Sequence, residues 1–168
     1  MLPIFSEYTY KVRYVLSRQY KVIILTLIAC FSWSMASAGE PNLTPVNLSG
    51  ATVVTPAQAL QMLTGEGVIL LDTRNPLNYG RGYIPGAKLS PFNGHSENTV
   101  TFDSSAHHWN PQDYGADIHS TIIIYSHGDT GWKSYKAAVL SVAAGYTKVF
   151  WMRDGFSAWK DANYPVEH

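Results

Sequence analysis

The residues with the clearest chemical potential lie together in one short loop, residues 126–132. Ser126 carries a hydroxyl nucleophile, His127 is a candidate base beside it, and Lys133 follows the loop directly. A serine hydroxyl attacks only when a base lies within hydrogen-bond reach and a third group orients that base. Side chains of adjacent residues at the end of a strand point in different directions. Covalent catalysis by Ser126 with His127 as its base is therefore not the favoured interpretation.

The elements on either side of this loop define its shape. Residues 121–125 form a β-branched apolar run, typical of a buried strand. A helix is predicted from about Lys133 to Ala144, with Gly145 after its end. A glycine-containing loop between a strand and a helix N-terminus makes a bowl of backbone N–H groups, which suits an anion or an anionic transition state. We predict a binding loop of Ser126, His127, Gly128, Asp129, Thr130, Gly131, Trp132 and Lys133.

Two charged side chains affect this bowl in opposite directions. Lys133 lies in the first turn of the predicted helix, where a cation is unfavourable with respect to the helix dipole. Its position makes better sense if an anion binds in the loop; the alternative is that Lys133 simply points to solvent. Asp129 adds negative charge beside the bowl, and we expect this charge to oppose anion binding.

The loop resembles a variant active-site loop of rhodanese-like sulfurtransferase domains, written C-x-G-P-x-C-W-K-S. The family's Gly, Trp, Lys and Ser are matched by Gly128, Trp132, Lys133 and Ser134. Both cysteine positions differ, because they hold Ser126 and Gly131. In active members the resemblance implies a cysteine thiolate that carries sulfur as a persulfide, stabilised by the loop's N–H groups. That chemistry needs an easily ionised nucleophile, which a serine is not.

Two further segments carry the same resemblance, which spans about residues 51–166. Near the second strand the family pattern is D-x-R-x-x-x-E-[YF]-x-x-G-H-I-P-G-A, matched at Asp72, Arg74, Tyr79, Gly82, Ile84, Pro85, Gly86 and Ala87. Asn78 and Tyr83 replace the family's Glu and His. The C-terminal pattern Y-W-L-R-G-G-F-x-x-W-x-x-x-G-Y-P is matched at Phe150, Trp151, Arg153, Gly155, Phe156, Trp159, Tyr164 and Pro165. Asp72 and Arg74 are supporting residues, since a charge-assisted pair at a strand end locks neighbouring loops.

Periodicity independently predicts an α/β fold. Short apolar strands are expected at residues 52–54, 68–71, 88–89, 121–125 and 148–151. Helices are expected from Pro56 to about Leu63, with Thr55 as the N-cap, from 133 to 144, and from 157 to 161. Alternating strands and helices argue an open parallel β-sheet flanked by helices in a single domain.

Residues 1–38 resemble a targeting segment. A basic region precedes the apolar run 22–28, and Ala36-Ser37-Ala38 fits a signal-peptidase site. The alternatives are lipid attachment at Cys30 and an uncleaved N-terminal anchor, although the apolar run is short of the roughly 20 residues of a membrane span. All three predict an exported, periplasmic domain whose only membrane contact is this segment. Residues 39–50 are rich in Pro, Asn and Gly, and are predicted to be a loose lead-in.

Cysteine content and charge exclude several functions. Cys30 is the only cysteine, so a chain cut after Ala38 has no disulfide, thiolate metal site or persulfide. From residue 39 onward, eight basic and eleven acidic side chains give a net charge of about −3. This balance offers no electrostatic case for nucleic acid and disfavours an anionic membrane as the main partner. No cofactor is predicted.

Residues 88–120 are polar and irregular. They contain His95, His107, His108 and His119, but the spacing fits no standard ligand pattern, and no metal site is predicted. Trp109 and Tyr114 either pack this loop onto the domain or act as exposed anchors for a partner.

Three functional hypotheses follow. The leading one is an exported rhodanese-like module without sulfurtransferase activity that binds a small oxyanion or a partner protein's side chain in the old pocket. The second is a sulfur- or phosphoryl-transfer enzyme with a non-cysteine route through Ser126. The third is a partner-binding protein that docks through the aromatic residues of the 92–115 segment.

Overall fold

A computed structural model of the chain describes residues 40–168. The predicted targeting segment, with its cleavage and lipidation hypotheses, lies outside the described residues. Five parallel strands form one sheet in the order β1-β5-β4-β2-β3. They are β1 (Ala51–Val53), β2 (Val68–Asp72), β3 (Lys88–Leu89), β4 (Thr121–Tyr125) and β5 (Val149–Met152). The parallel sheet predicted from the sequence is confirmed.

Within residues 40–168, three α-helices lie between consecutive strands and a fourth follows β5. They are α1 (Pro56–Leu63), α2 (Pro76–Tyr79), α3 (Trp132–Ala143) and α4 (Gly155–Asp161). The predicted start of α1 is confirmed, because Thr55 and Gln58 form a reciprocal capping box. Two 3₁₀ turns, Ser104–Ala106 and Pro111–Tyr114, interrupt the long connection before β4.

The central strand β4 carries side chains into two core layers. Ile122 and Ile124 face the layer that contains Ala137 and Ala138 of α3. Ile123 and Tyr125 face the opposite layer, which contains residues of α1 and α4. Alternation along the strand produces this division, and burial on both faces explains the continuous apolar run that predicted it.

The aromatic residues at the centre of the irregular 90–120 segment pack onto the domain. Trp109 is only 7% exposed, and its Nε1–H donates to the Ser90 carbonyl at 3.1 Å. Its ring lies against Phe92 and Tyr114. Trp109 is therefore a core residue, which favours the packing interpretation of this segment over the exposed-anchor one.

Parallel strands bring the residues that follow β2, β3, β4 and β5 to one edge of the sheet. Ligands bind preferentially at this edge of open α/β sheets. Within residues 40–168, no helix combines the length and the apolar character needed to cross a membrane.

Candidate functional site

A cavity of about 550 Å³ opens at the carboxyl edge of the sheet. It is lined by residues of the 126–132 loop, of the start of α3 and of the 92–98 segment. The structure brings six of the eight predicted binding-loop residues to this cavity: Ser126, His127, Thr130, Gly131, Trp132 and Lys133.

Several carbonyl groups of the loop are bound on its outer side. The Ser126 and His127 carbonyls accept from the backbone N–H groups of Phe156 and Ser157, each at 2.8 Å. The Asp129 carbonyl accepts from Thr44. Because C=O and N–H point in opposite directions across a trans peptide, the Thr130 N–H points away from Thr44. It finds no backbone or side-chain acceptor within residues 40–168, whereas the N–H groups of Gly131 and Trp132 donate to the carbonyls of Gly128 and Thr130.

Ser126 lines the cavity. It is 2% exposed, and its Oγ has no hydrogen-bond partner among the described residues. The adjacent His127 is engaged elsewhere: its Nε2 lies 3.0 Å from Nδ2 of Asn78, whose amide donates to it. Partial desolvation and the Arg74 guanidinium lower the pKa of His127. The site therefore contains a serine without the hydrogen-bonded base that nucleophilic catalysis requires.

Gly131 is required by the shape of this loop. A Cβ at this position would lie 2.6 Å from the Gly128 carbonyl oxygen and 3.0 Å from Cβ of Ser126. Neither atom is the end of a flexible side chain, so any side chain here must displace the loop. The position that holds the second cysteine in the variant pattern therefore has no room for a side chain in this loop.

The carboxylate of Asp129 lies outside the cavity. Its side chain is exposed and does not line the cavity, whereas its carbonyl accepts from Thr44 N–H at 2.8 Å and from Thr44 Oγ at 2.7 Å. The expectation that its carboxylate opposes an anion in the bowl is not supported by this geometry.

Lys136 is the most informative residue of the cavity, and the sequence did not single it out. Lys136 is 3% exposed, and its Nζ donates to the Ser96 carbonyl, Ser96 Oγ and Asn98 Oδ1 at 2.9, 3.0 and 3.3 Å. All three acceptors are neutral, and desolvation lowers the pKa of this lysine. The available signal was its place one turn after Trp132, on the same face of the predicted helix.

No carboxylate neutralises the lysines of this cavity within the described part of the chain. The ion pairs there are Arg74–Asp72 and Arg153–Asp154. Lys133 is exposed at the cavity, as its helix position suggested, and Lys136 is buried behind it. A buried cation is costly without a counter-charge, and this cavity is therefore electrostatically suited to an anion.

Asp72 and Arg74 support the site from outside the cavity. Arg74 is 2% exposed and donates to both carboxylate oxygens of Asp72 and to the Gly82 carbonyl. These hydrogen bonds agree with the supporting role predicted for Asp72 and Arg74. They do not place either side chain in contact with a ligand.

The lead-in segment forms an unexpected part of the site. Residues 41–46, here called the strap, contact the bowl through Thr44 and α3 through Trp132, whose Nε1–H donates to the Asn42 carbonyl at 2.8 Å. Arg153, after β5, donates to the carbonyls of Thr44 and Pro45. The expectation of a loose lead-in was wrong for these residues, because hydrogen bonds to residues far away in the sequence hold them against the domain.

The histidines do not form a metal centre in the described residues. Among residues 40–168, no three His, Cys, Asp or Glu side chains lie close enough to hold one ion. His107 instead hydrogen-bonds Ser96, which in turn accepts from Lys136.

Three features identify the class of this protein: the strand order, the loop that wraps onto α3 and the glycine-supported bowl. Residues 55–162 match the family model described as "Rhodanese-like domain". Since this match covers more than half of the chain, the protein belongs to the rhodanese-like domain family.

Relatives and solved structures agree with this assignment. A thiosulfate sulfurtransferase GlpE of Pseudomonas putida is 30% identical over 115 residues, covering 68% of this chain and 88% of the relative. GlpE of Pseudoalteromonas translucida is 31% identical over 106 residues, covering 63% and 86%. The BH2092 protein of Bacillus halodurans has a TM-score of 0.53 at 21% identity, covering 69% of this chain and 76% of its own. Thiosulfate sulfurtransferase of Pseudomonas aeruginosa has a TM-score of 0.52 at 21% identity, covering 70% and 20%. The two structural matches show the fold alone.

Proposed function

We propose that this protein is an exported rhodanese-like module that binds a small oxyanion in its bowl and does not catalyse sulfur transfer. The observation that carries the proposal is the buried Lys136, whose ammonium faces only neutral acceptors beside the cavity. An oxyanion in the cavity would supply the missing counter-charge, and the free N–H of Thr130 would donate to it.

The proposed absence of sulfurtransferase activity follows from the chemistry of Ser126. Sulfur transfer of the family type needs a thiolate, and Ser126 stands where the pattern has cysteine. A non-cysteine route through Ser126 is not favoured, since His127 is hydrogen-bonded to Asn78 rather than to the serine. Export rests on the predicted targeting segment, and a periplasmic protein partner remains a prediction.

Two measurements on the purified full-length chain test this proposal. In a thiosulfate:cyanide sulfurtransferase assay, we expect no turnover by wild type and measurable turnover by Ser126→Cys. Turnover by the wild-type chain would refute the inactive-module hypothesis. If neither protein turns over, the missing nucleophile alone does not explain the lack of activity, and partner binding becomes the favoured function.

The second measurement is thermal unfolding with and without thiosulfate, sulfate or phosphate. Because relatives are named thiosulfate sulfurtransferases, thiosulfate is the first anion to test. We expect protection of the wild type that is weakened in Lys133→Met and lost in Lys136→Met. Lys148→Met is the matched control, since Lys148 is exposed just before β5, at the opposite edge of the sheet. Lack of protection by every anion would remove the ligand from the proposal.

A further inference from the structure

The strap reaches the bowl from outside the part of the chain that matches the family model, residues 55–162. We infer that Thr44 is a positioning residue of the anion site, which turns the Thr130 N–H into the cavity and thereby sets the affinity of the bowl. This inference rests on the proposed oxyanion binding and names the element that controls it.

The orientation of one peptide unit carries the argument. Thr44 uses both of its donors, the backbone N–H at 2.8 Å and Oγ–H at 2.7 Å, on the single carbonyl oxygen of Asp129. That carbonyl is thereby held on the strap side of the loop. The next N–H, that of Thr130, must point to the other side because the peptide is planar and trans. Thr130 lines the cavity there, and its N–H is free of any acceptor within residues 40–168.

The position of Thr44 is itself fixed from two other directions. Nη2 of Arg153 donates to the Thr44 carbonyl at 2.9 Å, and Nε donates to the Pro45 carbonyl at 2.9 Å. On the other side, the Asn42 carbonyl accepts from Nε1 of Trp132. The strap is therefore anchored to Arg153, just after β5, and to α3 independently of its contact with the loop.

A thermodynamic consequence distinguishes positioning from mere support of the fold. If the strap holds the loop in its anion-binding form, anion binding and strap docking strengthen each other by the same factor. Anion binding must then reduce the opening of the strap, and the Thr44 amide proton must exchange more slowly with solvent in the complex. A strap that only stabilises the domain has no such dependence on the anion.

The test measures thiosulfate affinity of the full-length chain by calorimetry, with the apparent Tm of the anion-free protein recorded separately. Loss of one neutral orienting hydrogen bond in Thr44→Val is expected to raise Kd about five-fold. Thr44→Ser keeps the hydroxyl and should restore wild-type affinity. Thr52→Val is the matched control, because Thr52 is exposed on β1 and its hydroxyl makes no hydrogen bond among the described residues.

A second variant weakens the anchoring of the strap. Arg153→Lys keeps the charge but loses the planar fork that binds two carbonyls, and we expect it to raise Kd in the same direction. Thiosulfate should also slow hydrogen exchange at the Thr44 amide of the wild-type chain. No binding by the wild type would overturn the proposed oxyanion function. Binding that both variants leave unchanged, with no slowing at Thr44, would overturn the role of Thr44 alone.

Discussion

Arg74 folds back onto Asp72, two residues earlier in the chain, and places Nη2 2.6 Å from Oδ2 of that carboxylate. Both side chains are buried, at 2% and 0% exposure. The guanidinium also donates to the Gly82 carbonyl and lies over the Phe156 ring, 4.0 Å from its centroid. One ion pair thus joins the end of β2, the loop before β3 and the start of α4, on which the bowl rests.

Breaking this pair on one side should destabilise the whole domain. Asp72→Asn removes the negative charge and leaves the Arg74 guanidinium buried without a counter-ion. Loss of one partner of a buried pair costs about 3–5 kcal/mol. We expect a fall of this size in the free energy of unfolding, measured by urea denaturation. Arg81→Met, at an exposed neighbouring arginine, is the control and should change it by no more than about 0.5 kcal/mol. A change below about 1 kcal/mol in Asp72→Asn would contradict the structural role.

The two glycines of the bowl should respond differently to the same methyl group. In Gly131→Ala, the new Cβ meets the Gly128 carbonyl oxygen at 2.6 Å, so the loop must shift. We expect destabilisation of about 1–3 kcal/mol and loss of thermal protection by thiosulfate. In Gly128→Ala, the nearest atom is 3.6 Å away, an ordinary van der Waals contact, and protection should survive. Equal behaviour of the two variants in urea unfolding and in thermal protection would disagree with the loop geometry.

The lowered pKa of His127 predicts a loss of stability in mild acid. Its pKa in the folded protein is lowered by desolvation and then by the Arg74 guanidinium, from an ordinary value of 6.5. The unfolded chain therefore binds the proton more readily, and the stability contributed by neutral His127 is present above about pH 6.5 and is lost as the pH falls below it. Thermal unfolding at pH 7.5 and 5.5 measures this loss.

The comparison of variants isolates this histidine from the others. His127→Gln cannot titrate, so its fall in Tm between the two pH values should be smaller than that of the wild type. His119→Gln, on an exposed turn before β4, should keep the wild-type fall. If His127→Gln and the wild type lose the same Tm, the neutral state of His127 does not contribute to stability in the folded protein.

The elements of the fold were predictable because their signals are local. The apolar run of β4 and the Thr55 cap of α1 each lie within a few residues of sequence, and both occur where they were predicted. The site loop was also identified, since its glycines and the matched residues around Trp132 are contiguous. The core position of Trp109 was left open, because an aromatic residue in a polar segment suits a core and a surface equally.

The sequence alone determined the strand–loop–helix that forms the bowl, the parallel sheet and the missing thiol at Ser126. Only the tertiary structure decided what surrounds the bowl: the uncompensated charge of Lys136 and the hold of Thr44 on Asp129. Thr44 and Asp129 are 85 residues apart, and no local sequence pattern predicts a contact over this distance. It arises because parallel strands carry distant segments to one edge, where backbone donors and acceptors that no strand or helix satisfies must find each other.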